Sequence, residues 1–128
     1  MNDLIIYHNP RCSKSRKTLQ IIKDNGIQPT VVEYLKTPLK KFELENISRL
    51  LNKRPKEFVR KNEIDFKENN IKNIIENDAE LINEMTKFPK IIERPIVISK
   101  NKAVIGRPPE NVLELLYIWN SYPYMCNV

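Results

Sequence analysis

The sequence predicts an α/β fold in one domain that spans residues 1–128, with the order strand–helix–strand, a helical segment, and then strand–strand–helix. Three observations favour this fold. The length of 128 residues fits a single domain of common size. Hydrophobic residues make up 41% of the chain, which is enough for a core. Short apolar runs with strand character occur near both ends of the sequence, and helical patterns lie between them.

The sequence opens with a strand–helix–strand pattern. Leu4–Tyr7 is a short apolar run that stops at Asn9–Pro10, which is typical of a buried strand that runs into a turn. An amphipathic helix follows from Ser13 and stops at Asn25–Gly26, residues that are common at a helix C-terminus. Thr30–Leu35 is rich in β-branched residues and predicts the second strand. Because such a crossover is right-handed, we expect the two strands to be parallel.

The middle of the chain, about residues 38–89, predicts a helical insertion. Helical patterns at Phe42–Leu51, Lys56–Lys61 and Glu80–Phe88 alternate with asparagine-rich breaks. No segment in this region has convincing strand character.

The last part of the chain predicts an antiparallel hairpin and a final helix. Ile96–Ser99 and Ala103–Ile105 are strand-like runs separated by the polar tip Lys100–Lys102. Pro108 or Pro109 opens the helix, because a missing amide hydrogen costs nothing in the first turn. The apolar face of this helix consists of Val112, Leu113, Leu116 and Trp119. The complete order describes a thioredoxin-like fold with an inserted helical segment.

Charge and composition exclude several classes of protein. The net charge of +6 favours an anionic partner, but the chain lacks the aromatic stacking motif and clustered basic stripe of a nucleic-acid-binding protein. Cys12, Cys126 and His8 are too few for a structural zinc site, and we expect no metal. No apolar run approaches the ~18 residues that span a bilayer. With two cysteines and no secretory pattern in Met1–Tyr7, we expect a reduced, cytoplasmic protein without a membrane anchor.

Cys12 is the candidate nucleophile. It falls where the first strand gives way to the first helix, so its sulfur should face unpaired amides and the positive end of the helix dipole, which lower a thiol pKa. Arg11, Lys14 and Arg16 add positive charge nearby. The alternative is that Cys12 is a small buried core residue. Position 15 is serine, so Cys12 cannot close the local disulfide of a C-x-x-C oxidoreductase.

Four spaced motifs carry a family resemblance. The stretch Tyr7–Arg16 resembles the signature turn of the glutaredoxin-coupled, ArsC-like arsenate reductases, a family that includes short relatives. Arg60, Arg94 and Arg107 occupy the positions of that family's three oxyanion-site arginines. Their motifs are Phe58–Asn62, Glu93–Val97 and Gly106–Pro108. The alternative for each arginine is a solvated charge or half of an ordinary ion pair, although a planar guanidinium suits an oxyanion well.

The resemblance implies an arsenate reductase. Cys12 would attack arsenate held by the turn amides and the three arginines, giving a covalent arsenic adduct. Glutathione would reduce that adduct, and glutaredoxin would resolve the resulting mixed disulfide. Glutathione is then a co-substrate, and no metal or tightly bound cofactor is required. We expect a monomer.

Three further residues have candidate supporting roles. Pro95 resembles the proline before the third strand of thioredoxin-like folds, which is typically cis and lies against the active cysteine; the alternative is a trans proline that opens a strand. His8 would tune the thiolate through its charge, or only hydrogen-bond locally. Ser15 would hydrogen-bond the thiolate, or simply be a polar first-turn residue. We interpret Cys126 as incidental rather than as a resolving thiol, because the family needs none.

Two alternative functions remain open. One is a regulator that resembles Spx, a thioredoxin-like protein that binds RNA polymerase, although its redox switch is a C-x-x-C pair and this chain has Ser15. The other is a thiol reductase that acts on a different oxyanion or on a glutathione adduct, since short relatives of this kind often have an unproven substrate.

Overall fold

The computed structural model describes residues 4–116, and the chain forms two compact units. The first, called the sheet unit, consists of Met1–Val32 and Arg94–Val128, of which 4–32 and 94–116 are described. The second, called the helical unit, is Glu33–Glu93. The interpretation of residues 1–128 as a single domain stays a prediction.

The described part of the sheet unit contains four strands and one long helix. In chain order these are β1 (Ile5–Tyr7), α1 (Ser13–Asp24), β2 (Thr30–Val32), β3 (Ile96–Ile98) and β4 (Ala103–Ile105). The strand order is β2-β1-β3-β4. β1 pairs in parallel with β2 and antiparallel with β3, so that Ile6 lies opposite both Val31 and Val97, and β3 pairs antiparallel with β4. The α/β, thioredoxin-like fold class is confirmed.

A buried apolar cluster holds α1 and the final turn against the sheet. Its members are Leu4, Ile6, Ile22, Val97, Val104, Val112, Leu115 and Leu116. Pro109–Val112 is a 3₁₀ turn with proline at its start, and the backbone is helical at 113–116, where the described chain ends. Gly26, just beyond α1, has a φ of +79°, a conformation that favours glycine. Trp119 and Cys126 lie outside the described residues.

The helical unit is built from three helices. These are α2 (Lys41–Leu51), α3 (Ile64–Glu68) and α4 (Asp78–Lys87). The 3₁₀ turns Pro55–Glu57 and Ile71–Ile74 lie between them, and the turn Pro89–Ile91 follows α4. The Asn77 side chain caps α4 by accepting the Glu80 N–H over 3.0 Å. α2 and α4 pack through their buried faces, which carry Leu44, Ile47, Leu51, Leu81, Ile82 and Met85. Across residues 4–116, no helix is long and apolar enough to cross a membrane.

The prediction of a helix at Lys56–Lys61 is wrong. Only Pro55–Glu57 makes a helical turn, after which the chain extends and Val59 forms an isolated antiparallel bridge with Ile92. The Arg60 N–H donates to the Ile91 carbonyl over 2.6 Å. Val59 is buried, so its segment needs hydrogen-bond partners that a distant stretch of chain supplies. The five-residue α3 was missed because so short a helix shows no clear periodicity.

Candidate active site

The loop between β1 and α1 places Cys12 at the start of the helix. The Asn9 side-chain oxygen accepts the Arg11 N–H over 3.0 Å, and the Asn9 carbonyl accepts the Cys12 N–H over 3.0 Å. These bonds fold residues 9–12 into a turn. Cys12 is the N-cap residue, and its carbonyl accepts the Arg16 N–H over 3.0 Å. Its thiol is therefore held beside the first amides of α1.

The surroundings of Cys12 favour its thiolate. Burial acts to raise the pKa of the thiol. Hydrogen bonding lowers it and comes from the Ser15 backbone N–H, the Arg94 side chain and the Lys14 backbone N–H. The charge of Arg94 lowers it as well. The net result is a Cys12 pKa below its usual value. A larger fraction of the sulfur is then in the nucleophilic form near neutral pH.

Two of the three predicted arginines reach Cys12 within the sheet unit. Arg94 donates its hydrogen bond to the sulfur, and Arg107 Nη1 lies 3.8 Å from Cys12 Sγ. Arg107 Nη1 also donates to the Arg94 carbonyl over 3.2 Å. Both arginines are half-buried. The sulfur and two guanidinium groups therefore form one cluster that can hold an oxyanion next to a nucleophile.

Both arginines precede a proline in a cis peptide bond. The Arg94–Pro95 bond is cis, as the resemblance implied. The Arg107–Pro108 bond is also cis, which the sequence alone does not predict.

Gly106 is a site residue that sequence reasoning missed. Its N–H donates to the Pro95 carbonyl over 2.9 Å. A Cβ atom at this position would lie 2.5 Å from Thr18 Oγ1 and 2.8 Å from Pro95 Cγ, closer than real contacts allow. The lack of a side chain lets α1, Pro95 and the end of β4 meet directly before Arg107. The available signal was composition, because this is one of only two glycines in the chain.

His8 and Ser15 form a buried pair beneath the loop. A hydrogen bond of 2.6 Å joins His8 Nδ1 to Ser15 Oγ, and both residues are buried. Ser15 Oγ also accepts the Asn9 N–H over 3.1 Å. The hydroxyl thus supports the loop, whereas the backbone N–H of Ser15 is the group that lowers the Cys12 pKa. The catalytic support proposed for His8 and Ser15 stays a prediction.

Arg60 belongs to the helical unit and is held by two carboxylates. Its Nε donates to Glu63 over 3.2 Å and its Nη1 donates to Glu93 over 2.9 Å. Burial acts to lower the pKa of Arg60, but the hydrogen bonds and charges of Glu93 and Glu63 raise it above its usual value. The ion pairs fit the alternative interpretation of this residue. Its role as an oxyanion ligand stays a prediction.

The described residues hold no second free cysteine and no group of metal ligands. Cys12 is the free cysteine of residues 4–116. Within the same residues, no three His, Cys, Asp or Glu side chains come together in a group that could hold a metal ion.

Comparison with known proteins places the chain in a family. The model of the ArsC family matches residues 7–115. The uncharacterized protein YfgD of Escherichia coli K12 is 46% identical over 112 residues, which are 87% of this chain and 94% of that protein. A Haemophilus influenzae protein named arsenate reductase is 43% identical over 114 residues, covering 88% of this chain and 98% of the relative. The solved structure of an arsenate reductase from Vibrio cholerae is similar with a TM-score of 0.84 and 42% identity, covering 89% of this chain and 97% of that one. The chain belongs to the ArsC family.

Proposed function

We propose that this protein is an arsenate reductase in which Cys12 is the nucleophile. The observation that carries the proposal is the cluster of the Cys12 sulfur with the guanidinium groups of Arg94 and Arg107. The relatives that bear the name arsenate reductase, and the similar Vibrio cholerae structure of that name, support the same substrate.

The chemistry starts from a bound oxyanion. Arg94 and Arg107 donate hydrogen bonds to arsenate and offset its charge, and the thiolate of Cys12 attacks arsenic. A sulfur–arsenic bond forms while an arsenic–oxygen bond breaks, and the departing oxygen takes up a proton from the solvent and leaves as water. Arg60 is the proposed third arginine of the oxyanion site. His8 and Ser15 support the loop that presents the thiolate, and Pro95 positions Arg94.

Glutathione and glutaredoxin complete the cycle. Two electrons are needed to take arsenic from As(V) to As(III), and the two thiols of Cys12 and glutathione supply them. Arsenite leaves, and the two sulfurs remain as a mixed disulfide. A glutaredoxin thiolate then takes the glutathionyl group and releases the Cys12 thiol. One cysteine of this chain is sufficient, because glutathione and glutaredoxin supply the other thiols, and no bound cofactor takes part.

The test is arsenate-dependent oxidation of NADPH in the presence of glutathione, glutaredoxin and glutathione reductase. We expect turnover by the wild type and by Cys126→Ser, and none by Cys12→Ser. Omitting glutaredoxin should stop multiple turnover. Circular dichroism and urea unfolding establish that Cys12→Ser is folded, so that loss of activity reports on chemistry.

Each negative outcome has a definite meaning. Turnover by Cys12→Ser would overturn the mechanism. A folded wild type without arsenate turnover would overturn the substrate, and the same coupled assay with a different oxyanion or a glutathione mixed disulfide would then test the alternative thiol reductase. Retention of RNA polymerase on the immobilised protein would instead favour the Spx-like regulator.

A further inference from the structure

The positive charge of the protein is concentrated in the unit that holds Cys12. Residues 4–32 and 94–116 of the sheet unit contain nine lysines and arginines but only three acidic residues. The helical unit, residues 33–93, contains thirteen lysines and arginines and twelve acidic residues, so it is close to neutral. The reactive thiol therefore lies in a strongly cationic part of the molecule.

Three of these cations are exposed and lie within five residues of Cys12 in the sequence. Arg11 precedes the cysteine directly, and Lys14 and Lys17 are exposed residues in the first turns of α1. Lys14 and Lys17 are three residues apart, so they lie on one face of the helix. We call Arg11, Lys14 and Lys17 the basic rim.

Within residues 4–32 and 94–116 of the sheet unit, no carboxylate forms an ion pair with the basic rim. The ion pairs of the described chain involve other cations, most of them in the helical unit. The acidic residue of α1 is Asp24, at the far end of the helix, where it accepts a hydrogen bond from Gln20. Arg16 is excluded from the rim because its guanidinium donates to the Pro10 carbonyl over 2.9 Å and so supports the loop.

We propose that the basic rim makes Cys12 selective for thiols and disulfides that carry carboxylates. This inference rests on the proposed function, because it concerns the co-substrate of the same thiol. Glutathione has two carboxylates and one ammonium group, so it is a net anion at neutral pH. Exposed charges act over a Debye length of about 10 Å at 0.1 M salt, which covers the space around the thiol. Their field raises the local concentration of anions and lowers that of cations.

Thiol–disulfide exchange isolates this effect from arsenate chemistry. The Cys12 thiolate attacks one sulfur of a disulfide, a new sulfur–sulfur bond forms, and the old one breaks. The other half leaves as a thiolate with the electron pair of the broken bond, so Cys12 is oxidised and the leaving half is reduced. Oxidised glutathione is an anionic probe, and cystamine is a cationic probe of the same reaction.

The experiment measures the rate constant for modification of Cys12 by each probe, in a Cys126→Ser background. The ratio of the glutathione rate to the cystamine rate is the readout, because the thiolate fraction of Cys12 cancels in it. The rim variant is R11Q/K14Q/K17Q. The matched control, K23Q/K100Q/K102Q, removes three exposed cations from the same unit, and Lys23 lies about 14 Å along α1 from Lys14.

We expect the ratio to fall about tenfold in the rim variant at low ionic strength and less than about twofold in the control. Added NaCl should lower the ratio of the parent protein toward that of the rim variant. An unchanged ratio in the rim variant, or equal falls in both variants, would overturn the proposal. So would a lack of reaction of the parent with oxidised glutathione. None of these rates requires arsenate, so failure of the arsenate assay alone would overturn the substrate and not the basic rim.

Discussion

Arg107 Nη1 lies 3.8 Å from Cys12 Sγ while it donates to the carbonyl of Arg94 over 3.2 Å. The Arg107 guanidinium thus contacts the Cys12 sulfur and also holds the backbone of Arg94, the second arginine beside that sulfur. Arg94 lies just before β3 and Arg107 just after β4, so both flank the open end of the hairpin, and this contact holds that end beside the first turn of α1.

Arg107→Lys should weaken arsenate reduction although the charge is kept. An ammonium group is a point charge and cannot donate two parallel hydrogen bonds to an oxyanion while it also holds the Arg94 carbonyl. Loss of one charge-assisted hydrogen bond predicts a fall in kcat/KM of about tenfold to a hundredfold. Steady-state kinetics with arsenate as the varied substrate provide the check, with Lys102→Gln as a control at an exposed cation. Unchanged kinetics would remove Arg107 from the oxyanion site.

The lowered pKa of Cys12 makes stability depend on pH. Because the thiol pKa is lower in the folded state than in the unfolded state, the thiolate contributes stability above the unfolded pKa, and this contribution is lost as the pH falls through the folded pKa. The free energy of unfolding of the wild type relative to Cys12→Ser should therefore increase with pH across that window. Urea unfolding of both proteins at a series of pH values, with reductant present, measures the difference. A difference that does not change with pH would contradict the lowered pKa.

Ser15→Ala should affect stability more than the thiol pKa. The substitution removes the hydrogen bonds from the Ser15 hydroxyl to the buried His8 Nδ1 and to the part-buried Asn9 N–H, which predicts a fall in the free energy of unfolding of about 1–3 kcal/mol. The Ser15 backbone N–H, which lowers the Cys12 pKa, is retained. Urea unfolding and the pH dependence of alkylation by iodoacetamide separate the two effects. A large rise in the thiol pKa with normal stability would instead show that the hydroxyl acts on the thiolate.

Gly106→Ala tests whether the close approach of three elements is required. The new Cβ would be 2.5 Å from Thr18 Oγ1 and 2.8 Å from Pro95 Cγ. Because neighbouring groups must shift to remove this overlap, the free energy of unfolding should fall by about 1–3 kcal/mol. In the double variant T18A/G106A, the destabilisation should be smaller than the sum of the single effects. Urea unfolding measures all three variants. Strict additivity would show that overlap with the Thr18 side chain does not cause the destabilisation by Gly106→Ala.

The sheet unit could be predicted from sequence because its signals are local. Leu4–Tyr7 and Ala103–Ile105 are bounded by turn residues, and the cysteine position follows from the junction of strand and helix. The failed helix at Lys56–Lys61 depends on pairing with residues about thirty positions later, which no local pattern encodes. The same holds for the packing at Gly106, which arises only when α1, Pro95 and the end of β4 meet.

Glu93→Gln tests the ion pairs of Arg60, with Glu84→Gln as the matched control. The Glu93 side chain is 25% exposed and accepts from Arg60 over 2.9 Å, whereas Glu84 is 22% exposed and pairs with Lys87 over 3.4 Å. Arg60 is half-buried and pairs with two carboxylates, whereas Lys87 is exposed. Glu93→Gln should therefore lower the free energy of unfolding by about 1 kcal/mol, and Glu84→Gln should lower it by less.

The same pair of variants shows what the carboxylate does for Arg60. If Arg60 binds the oxyanion, a carboxylate that orients its guanidinium should help, and Glu93→Gln should raise KM for arsenate with little change in kcat. Glu84→Gln should leave both constants unchanged. If Glu93→Gln loses stability without any change in KM, Arg60 has the ion-pair role alone. The orientation of a guanidinium that does not contact the substrate should not affect the kinetic constants.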